Sequence, residues 1–188
     1  SDFREKTLRL YKEYDDFGKT LLHALTLYLQ IKENTFEEVT DYGNSIMRAI
    51  HYPIINNMSL GERAGAHEDI NLITLLIGGY QPGLEILDSN QKWIEVNASH
   101  DTVICNIGDM MQRFTNNKLK STTHRVRALS KESRSNSRYS FPFFLHPNPD
   151  WMIKTLENCI TSKNPNLYPN AIMAEDFLRE RLIEIKLT

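Results

Sequence analysis

The stretch AHEDINLITLLIGG, residues 66–79, is the most informative part of this sequence. Residues 70–77 form a continuous apolar run rich in β-branched side chains and end at two glycines, which predicts a buried strand. The residues just before the run open this predicted strand. Because side chains two residues apart project from the same face of a strand, we expect His67 and Asp69 to point together and Glu68 to point away.

On both sides of this run, the sequence predicts further short strands separated by turn residues. Residues 46–55 are a strand candidate that breaks at Pro53, and residues 56–66 are a polar, glycine-containing connection. Residues 88–92 are rich in turn formers and predict a hairpin. The predicted strands downstream of the run are 84–87, 93–96, 102–107, 122–129 and 139–145. This spacing predicts a β-sandwich or barrel core of about eight strands.

The two ends of the chain have helical patterns instead. Apolar residues recur at three- and four-residue steps within 8–31, and a short helix is expected from 36 to 42. After Pro147, helices are predicted at 150–160 and 174–187. We therefore expect one domain in three parts. These are N-terminal helices that pack on the core (1–44), the β core (45–147) and a C-terminal helical extension (148–188).

The composition is typical of a soluble globular protein. The 188 residues are 40% hydrophobic and 24% charged, which suffices for one domain with a sizeable core. The net charge is −2 and the pI is near 6.3, so neither a nucleic-acid partner nor an anionic membrane is expected. No apolar run is long enough to cross a bilayer, and no signal peptide is visible. Two distant cysteines, Cys105 and Cys159, then favour reduced thiols and a cytoplasmic location.

His67 and Asp69 are candidate metal ligands. One neutral imidazole and one carboxylate on a shared face supply two adjacent corners of an octahedral iron site. His124 begins a later predicted strand and is the candidate for the third corner. Two histidines and one carboxylate on one side of a metal leave the opposite positions open for a chelating co-substrate and oxygen. A His-x-Asp tripeptide arises often by chance, so the assignment depends on its surroundings.

Arg138 and Ser140 form a second candidate site, again through the two-residue period of a strand. The guanidinium can bind a carboxylate through two hydrogen bonds, and the hydroxyl can donate one more. A buried arginine without an anionic ligand would be costly, which favours a bound carboxylate. On this pair alone, however, an arginine in solvent at a strand edge is the better interpretation.

Three segments together resemble the isopenicillin N synthase-like family of iron(II)/2-oxoglutarate-dependent dioxygenases. They contain the His-x-Asp, distal His and Arg-x-Ser motifs in the order found in that family. The resemblance covers about residues 40–150 and implies a double-stranded β-helix (jelly roll) with the metal between its two sheets. The segments are 66–78, 106–126 (NIGDMMQRFTNNKLKSTTHRV) and 138–147 (RYSFPFFLHP).

The resemblance also implies roles for single residues. Arg138 and Ser140 match the residues that hold the distal carboxylate of 2-oxoglutarate, and Tyr52 matches a tyrosine that also reaches this co-substrate. Ile50 stands where many members have asparagine, which puts one auxiliary contact to the co-substrate in question. The family's iron ligands match His67, Asp69 and His124.

The implied function is an enzyme that uses iron(II), 2-oxoglutarate and O2 to oxidise, chiefly to hydroxylate, a small organic substrate with release of succinate and carbon dioxide. Family members usually carry an additional N-terminal region that helps to close the site. Nothing like it precedes Ser1, so either it lies outside this chain or the chain is a minimal member. Three alternatives remain open. They are an oxidase or cyclase of the same scaffold that does not use 2-oxoglutarate, a non-catalytic metal-binding jelly-roll protein, and a nucleic-acid demethylase.

Overall fold

A computed structural model describes residues 2–55, 62–78, 82–128 and 134–186. Short antiparallel strands form the middle of the chain, and helices precede and follow them. The first helices are α1 (Asp2–Leu29) and α2 (Thr35–Thr40), where two helices were predicted. The mainly β fold with flanking helices is therefore confirmed.

The described strands form two four-stranded sheets and two smaller ladders. Sheet I consists, in spatial order, of β1 (Ile46–Met47), β10 (Phe143–Leu145), β4 (Ile73–Ile77) and β7 (Val103–Ile107). Sheet II consists of β3 (Glu62–His67), β8 (His124–Arg127), β5 (Leu84–Leu87) and β6 (Trp93–Glu95). The ladders are β2 (Ile50–Tyr52) with β9 (Arg138–Ser140), and β11 (Met152–Ile153) with β12 (Ile172–Met173).

Two of the predicted strands are each divided into two shorter strands. The strand predicted at 46–55 forms β1 and β2, and the strand predicted at 139–145 forms β9 and β10. One antiparallel register nevertheless runs through both ladders, since β2 and β9 pair with Ile50 opposite Ser140 in continuation of β1 and β10. Pro142 lies at the break and cannot donate a backbone hydrogen bond, which explains the interruption.

The hydrophobic core lies between α1 and the outer face of sheet I. Leu75 and Phe143 of this face are fully buried, and the ring of Tyr14 stacks on Phe143 with the centroids 5.5 Å apart. Gly18 allows the helix to approach closely, because a Cβ at this position would lie 2.5 Å from Leu145 Cδ1. Helix α1 therefore fixes the position of the strands behind the site.

The inner face of sheet I borders a cavity. Along β4, Ile73 and Leu75 belong to the core under α1, whereas Thr74 and Leu76 line the cavity. Both faces of this strand are thus covered, which explains its continuous apolar sequence.

The strand predicted at 70–77 begins only at Ile73. Before it, the carbonyl oxygen of Asp69 accepts a hydrogen bond from the backbone N–H of Asp109 at 2.8 Å and is not part of a ladder. Asp109 is the first residue of α3 (Asp109–Phe114), a helix that was not predicted. The metal-site motif therefore lies before β4, in the connection from β3.

The prediction of a connection at 56–66 is wrong from residue 62 onward, where β3 begins, and its residues 56–61 lie outside the described part of the chain. The sequence of β3, ERAGAH, is poor in strand formers. Pairing with β8 supplies its hydrogen bonds and overrides this weak local preference. The remaining predicted strands are confirmed with ends shifted by at most two residues, and residue 129 lies outside the described part.

The helix predicted at 150–160 is also wrong. Residues 152–153 form β11 and Glu157–Cys159 form a short 3-10 turn. Pairing of β11 with β12 satisfies the backbone there, and tertiary pairing of this kind overrides local helical periodicity. The last predicted helix is confirmed as α4 (Ala174–Glu184), and residue 187 of that prediction lies outside the described part.

Candidate active site

His67, Asp69 and His124 meet beside sheet II. His67 ends β3 and His124 begins β8, where they are direct cross-strand partners with ring centroids 4.3 Å apart. Asp69 Oδ1 lies 3.9 Å from His67 Nε2 and 3.8 Å from His124 Nε2. One potential donor atom from each residue lies within 4.8 Å of the other two. The three residues predicted as metal ligands are thus brought together.

The way in which they meet differs from the expectation. His67 and Asp69 were expected on one strand, but β3 ends at His67 and Asp69 lies in the following connection. Glu68 takes no part in the cluster, as expected, since its Oε1 accepts a hydrogen bond from Thr123 Oγ1 at 2.7 Å. The connection after β3, rather than strand alternation, places the carboxylate next to the imidazoles.

Backbone carbonyls hold both imidazole rings. His67 Nδ1 lies 2.7 Å from the carbonyl oxygen of Gly65, and His124 Nδ1 lies 3.0 Å from that of Thr122. Because a carbonyl oxygen can only accept, Nδ1 of each ring carries the hydrogen. In the neutral form of each ring, the lone pair is therefore on Nε2, the atom that faces Asp69. Metal-binding histidines in proteins are oriented in the same way.

The two carboxylate oxygens of Asp69 have different surroundings. Oδ2 accepts hydrogen bonds from Thr74 Oγ1 at 2.7 Å and from Asn106 Nδ2 at 2.8 Å. Oδ1 faces the two imidazoles. Thr74 receives a further hydrogen bond from Asn71 Nδ2 at 2.8 Å, which orients its hydroxyl towards Asp69. Neither Thr74 nor Asn106 was predicted as part of the site, and the only signal in the sequence is a polar side chain inside each of two apolar strands.

This donor set fits a divalent iron ion. Two Nε2 lone pairs and one carboxylate oxygen converge, and the atoms behind them are fixed by hydrogen bonds, as in a pre-organised metal site. The side chain of Asp69 is 4% exposed and that of His124 14%, whereas that of His67 is 47% exposed. One side of the cluster is therefore open to incoming molecules.

A first cavity of about 290 Å³ extends from the cluster into the space between the sheets. Its walls are largely apolar and come from both sheets, and its polar lining includes Tyr52, Ser140 and Arg63. Ile50 lies in the wall as well, at the position opposite Ser140. We name this space the inner cavity. Its polar end contains two of the residues that were predicted to bind the co-substrate.

Arg138, the third predicted co-substrate residue, is the direct cross-strand partner of Tyr52. Burial lowers the pKa of its guanidinium, and the nearby charge of Arg63 lowers it further, while Tyr52 raises it. Within the described residues no carboxylate pairs with Arg138, and its recorded acceptor is the carbonyl oxygen of Pro82 at 3.4 Å. A partly buried cation with these neighbours is a suitable site for an anionic group.

A second cavity of about 650 Å³ lies on the other side of the cluster. Its walls include apolar side chains of Leu178 and Leu182 from α4 and of Ile46 from β1. His146 also lines it, and burial lowers the pKa of this imidazole to about 4, despite the opposing charge of Asp69. His146 is therefore neutral at physiological pH. We name this space the outer cavity.

Two predictions from composition can be compared with the structure. Neither Cys105 nor Cys159 forms a disulfide. Within the described ranges, none of the helices combines the length and the apolar character that a bilayer crossing would require. A cytoplasmic location stays a prediction.

Comparison with known proteins gives a consistent result. The profile of the 2OG-Fe(II) oxygenase superfamily, where 2OG is 2-oxoglutarate, matches residues 43–147. A 2-oxoglutarate-Fe(II) type oxidoreductase of Emericella nidulans is 36% identical over 182 residues, which cover 95% of this chain and 51% of the relative. The chain thus spans about half the length of the curated relatives it matches.

Solved structures agree with the sequence matches. A 2OG-Fe(II) oxygenase family protein from Caulobacter crescentus is 45% identical with a TM-score of 0.91, covering 97% of this chain and 59% of that one. Neurospora crassa T7H in complex with α-ketoglutarate and thymine is 27% identical with a TM-score of 0.88, covering 97% and 57%. These likenesses confirm the predicted double-stranded β-helix.

Proposed function

The chain belongs to the 2OG-Fe(II) oxygenase superfamily, and from this membership we propose that it forms the catalytic core of a dioxygenase that oxidises, chiefly hydroxylates, a small organic substrate. Membership of this family indicates that the cofactor is iron(II) and the co-substrate is 2-oxoglutarate. The observation that carries the proposal is the convergence of His67 Nε2, His124 Nε2 and Asp69 Oδ1, each left free by hydrogen bonds on the opposite atom.

His67, Asp69 and His124 are the proposed iron ligands. When bound, iron(II) couples the decarboxylation of 2-oxoglutarate by dioxygen, which releases succinate and carbon dioxide, to oxidation of the substrate. These three residues would hold the ion and would leave room for the co-substrate and oxygen. The carbonyls behind both rings and the donors behind Asp69 keep the ligand atoms oriented.

Arg138, Ser140 and Tyr52 are the proposed anchor for the distal carboxylate of 2-oxoglutarate. Arg138 and Ser140 are two residues apart on β9 and share a face, and Tyr52 is opposite Arg138 on β2. The guanidinium can bind the carboxylate bidentately while a hydroxyl donates a further hydrogen bond. The walls of the inner cavity are largely apolar and include Leu84 and Val126, which strengthens electrostatic interactions inside the cavity.

We also propose that the substrate is a small molecule rather than a nucleic acid or a membrane component. The outer cavity has a volume of about 650 Å³, which is within the range of small-molecule sites. The net charge of −2 supplies no general attraction for a polyanion. T7H, which shares the fold, is known in complex with thymine.

The proposal is tested by anaerobic titration of the protein with iron(II) and 2-oxoglutarate. We expect a weak visible charge-transfer band from the chelate, and, after oxygen is admitted, succinate formation that depends on 2-oxoglutarate. Replacement of His124 by alanine should abolish the band. The matched control is His23→Ala, which removes an exposed imidazole from α1 and should leave the band unchanged.

The outcomes separate the alternatives. A metal-dependent oxidation that forms no succinate would identify an oxidase of the same scaffold. Metal binding without a band and without oxygen consumption would identify a non-catalytic metal-binding protein. Either result contradicts the proposed function.

A further inference from the structure

Two paired segments run beside the metal site, one with β1 and β2 and the other with β9 and β10. Along each segment, every second residue lines one of the two cavities. On the segment of β1 and β2, Ile46 lines the outer cavity, whereas Ile50 and Tyr52 line the inner one. The intervening His51 points outward and stacks on Tyr139 with the ring centroids 4.6 Å apart. Even-numbered residues of this segment therefore face the site.

Arg48 lies on the same face at the boundary between the two cavities. It is the only residue of its segment to line both of them among the described residues. On the opposite segment Phe144 lines both, and the ligand candidates His67 and Asp69 do so as well. Arg48, an exposed residue, is thus part of the wall where both cavities reach the metal site.

The fold does not use the charge of Arg48. Its backbone N–H donates to the carbonyl oxygen of Pro142 at 3.0 Å, which fixes the main chain. Its guanidinium has no hydrogen bond, ion pair or ring contact within the described ranges 2–55, 62–78, 82–128 and 134–186. By contrast, Arg125 pairs with Glu85 at 2.6 Å.

The other charged residues that line the cavities have partners within the fold or within the proposed function. Glu68 accepts a hydrogen bond from Thr123 Oγ1 at 2.7 Å, and Arg63 donates one to the carbonyl oxygen of Asn136 at 2.7 Å.

The proposed function uses two further charges. Asp69 compensates part of the charge of iron(II), and Arg138 receives the distal carboxylate of 2-oxoglutarate. Arg48 remains as a cation with several N–H donors and no acceptor. The surrounding outer cavity is otherwise mainly apolar, with Leu178 and Leu182 of α4 on one side, so an anionic group entering it would find its strongest partner at Arg48.

We propose that the substrate of this site is a small organic acid whose carboxylate binds Arg48 and whose apolar part lies against Leu178 and Leu182. This inference rests on the proposed function, because it assigns the second cavity to the substrate of the same metal site. Arg48 is then a specificity-determining residue. The carboxylate of the substrate is inferred from the unpaired guanidinium of Arg48. Its apolar part is inferred from the leucine side chains of α4 that line the same cavity.

The test compares acids with their uncharged amides on the protein in its natural length, loaded with manganese(II) and 2-oxoglutarate. Calorimetry measures the binding of benzoate and benzamide, phenylacetate and phenylacetamide, and hexanoate and hexanamide. For at least one pair the wild type should bind the acid at least about tenfold more tightly, because a charge-assisted hydrogen bond contributes at least this much. Raising the ionic strength should weaken binding of the acid and leave that of the amide unchanged.

Variants locate the effect. Arg48→Gln should abolish the preference for the acid, and Arg48→Lys, which keeps the charge without the planar fork, should retain part of it. The dissociation constant of 2-oxoglutarate should stay within about twofold in both variants. The control is Arg4→Gln, which removes an exposed arginine from α1 and should change nothing.

Several outcomes would overturn the proposal. The first is a wild type that binds no acid better than its amide, a result that needs no variant. Another is an Arg48→Gln variant that loses acid and amide equally, or that loses 2-oxoglutarate, which would assign Arg48 to the co-substrate. Failure of the proposed function itself is distinguishable, because the iron–2-oxoglutarate band would then be absent from the wild type.

Discussion

At the scale of single residues, the two carboxylate oxygens of Asp69 have different functions. Its Oδ2 is held by Thr74 and Asn106, and its Oδ1 faces the two imidazoles. Thr74 and Asn106 are direct partners across β4 and β7 of sheet I. Sheet I therefore orients a ligand that completes a cluster on sheet II.

Thr74→Val tests this orientation. Valine has nearly the same shape, so the main change is the loss of two hydrogen bonds, the one donated to Asp69 Oδ2 at 2.7 Å and the one accepted from Asn71 Nδ2 at 2.8 Å. We expect affinity for manganese(II) or iron(II) to fall about 10- to 100-fold, as for other residues that support metal ligands. Thr7→Val, which removes a hydroxyl that donates to Phe3 O on the exposed side of α1, is the control for metal titrations. Unchanged metal affinity in Thr74→Val would refute the assigned role.

His146 makes the stability of the metal-free protein depend on pH. Its pKa is about 4 in the folded state, because it is buried, and near 6.5 when exposed. Between these values the unfolded state binds more protons, so folding stability falls as the pH drops from 6.5 towards 4. Between pH 7 and pH 5, His146→Gln should lose about 2 kcal/mol less than the wild type in urea unfolding with a chelator present. Parallel pH profiles for the two proteins would contradict this account.

The sequence predicts the chemistry of these residues better than it predicts which residues surround them. His67, Asp69 and His124 could be found because their side-chain types and order are informative without a structure. The pair Thr74 and Asn106 could not be found, because only the register of β4 against β7 brings two residues so far apart in the chain together. Hydrogen-bond partners of this kind depend on tertiary pairing, which local patterns do not encode.

At the scale of elements, the strands were predicted more accurately than the connections between them. The hairpin of β5 and β6 has a clear signal, because Asp88 Oδ1 accepts the backbone N–H groups of Asn90 and Lys92, both at 2.8 Å. The start of β4 lacked such a signal. The strand begins at Ile73 and not at the predicted residue 70, because the carbonyl oxygen of Asp69 accepts a hydrogen bond from the first residue of α3. That contact joins Asp69 to Asp109, which local sequence patterns do not reveal.

A largely buried ion pair joins the elements β5 and β8. Arg125 Nε lies 2.6 Å from Glu85 Oε2, and the guanidinium carbon lies 3.8 Å from the ring centre of Trp93 on β6. Arg125→Met should destabilise the protein by about 3 kcal/mol in urea unfolding, since it leaves a buried carboxylate unpaired. Adding Glu85→Gln should recover most of this loss, because the uncompensated charge is then removed.

The comparison for Arg125 is an exposed pair on α1. Arg9 and Glu13 form an ion pair of 2.8 Å, but their side chains are 81% and 60% exposed. Arg9→Met should therefore change the free energy of unfolding by less than about 0.5 kcal/mol. Equal effects of Arg9→Met and Arg125→Met would show that burial does not determine the strength of the β5–β8 contact.

At the scale of the whole molecule, the proposed metal site connects the two sheets. His67 and His124 come from sheet II, whereas Asp69 is held by donors from β4 and β7 of sheet I. Local unfolding of either sheet would separate the ligand atoms. A metal ion that binds only the folded arrangement must therefore stabilise both sheets together.

Metal addition should accordingly raise the thermal stability of the entire core. With free manganese(II) at 100 times its dissociation constant, the stabilisation is about 2.7 kcal/mol, which for a chain of this size raises Tm by about 5–10 °C. Differential scanning calorimetry should show one transition that shifts as a unit, and a chelator should reverse the shift. Asp69→Ala, which removes the ligand that depends on both sheets, should show no shift at the same metal concentration. If only part of the transition moves, or if Asp69→Ala is stabilised equally, the metal does not couple the two sheets.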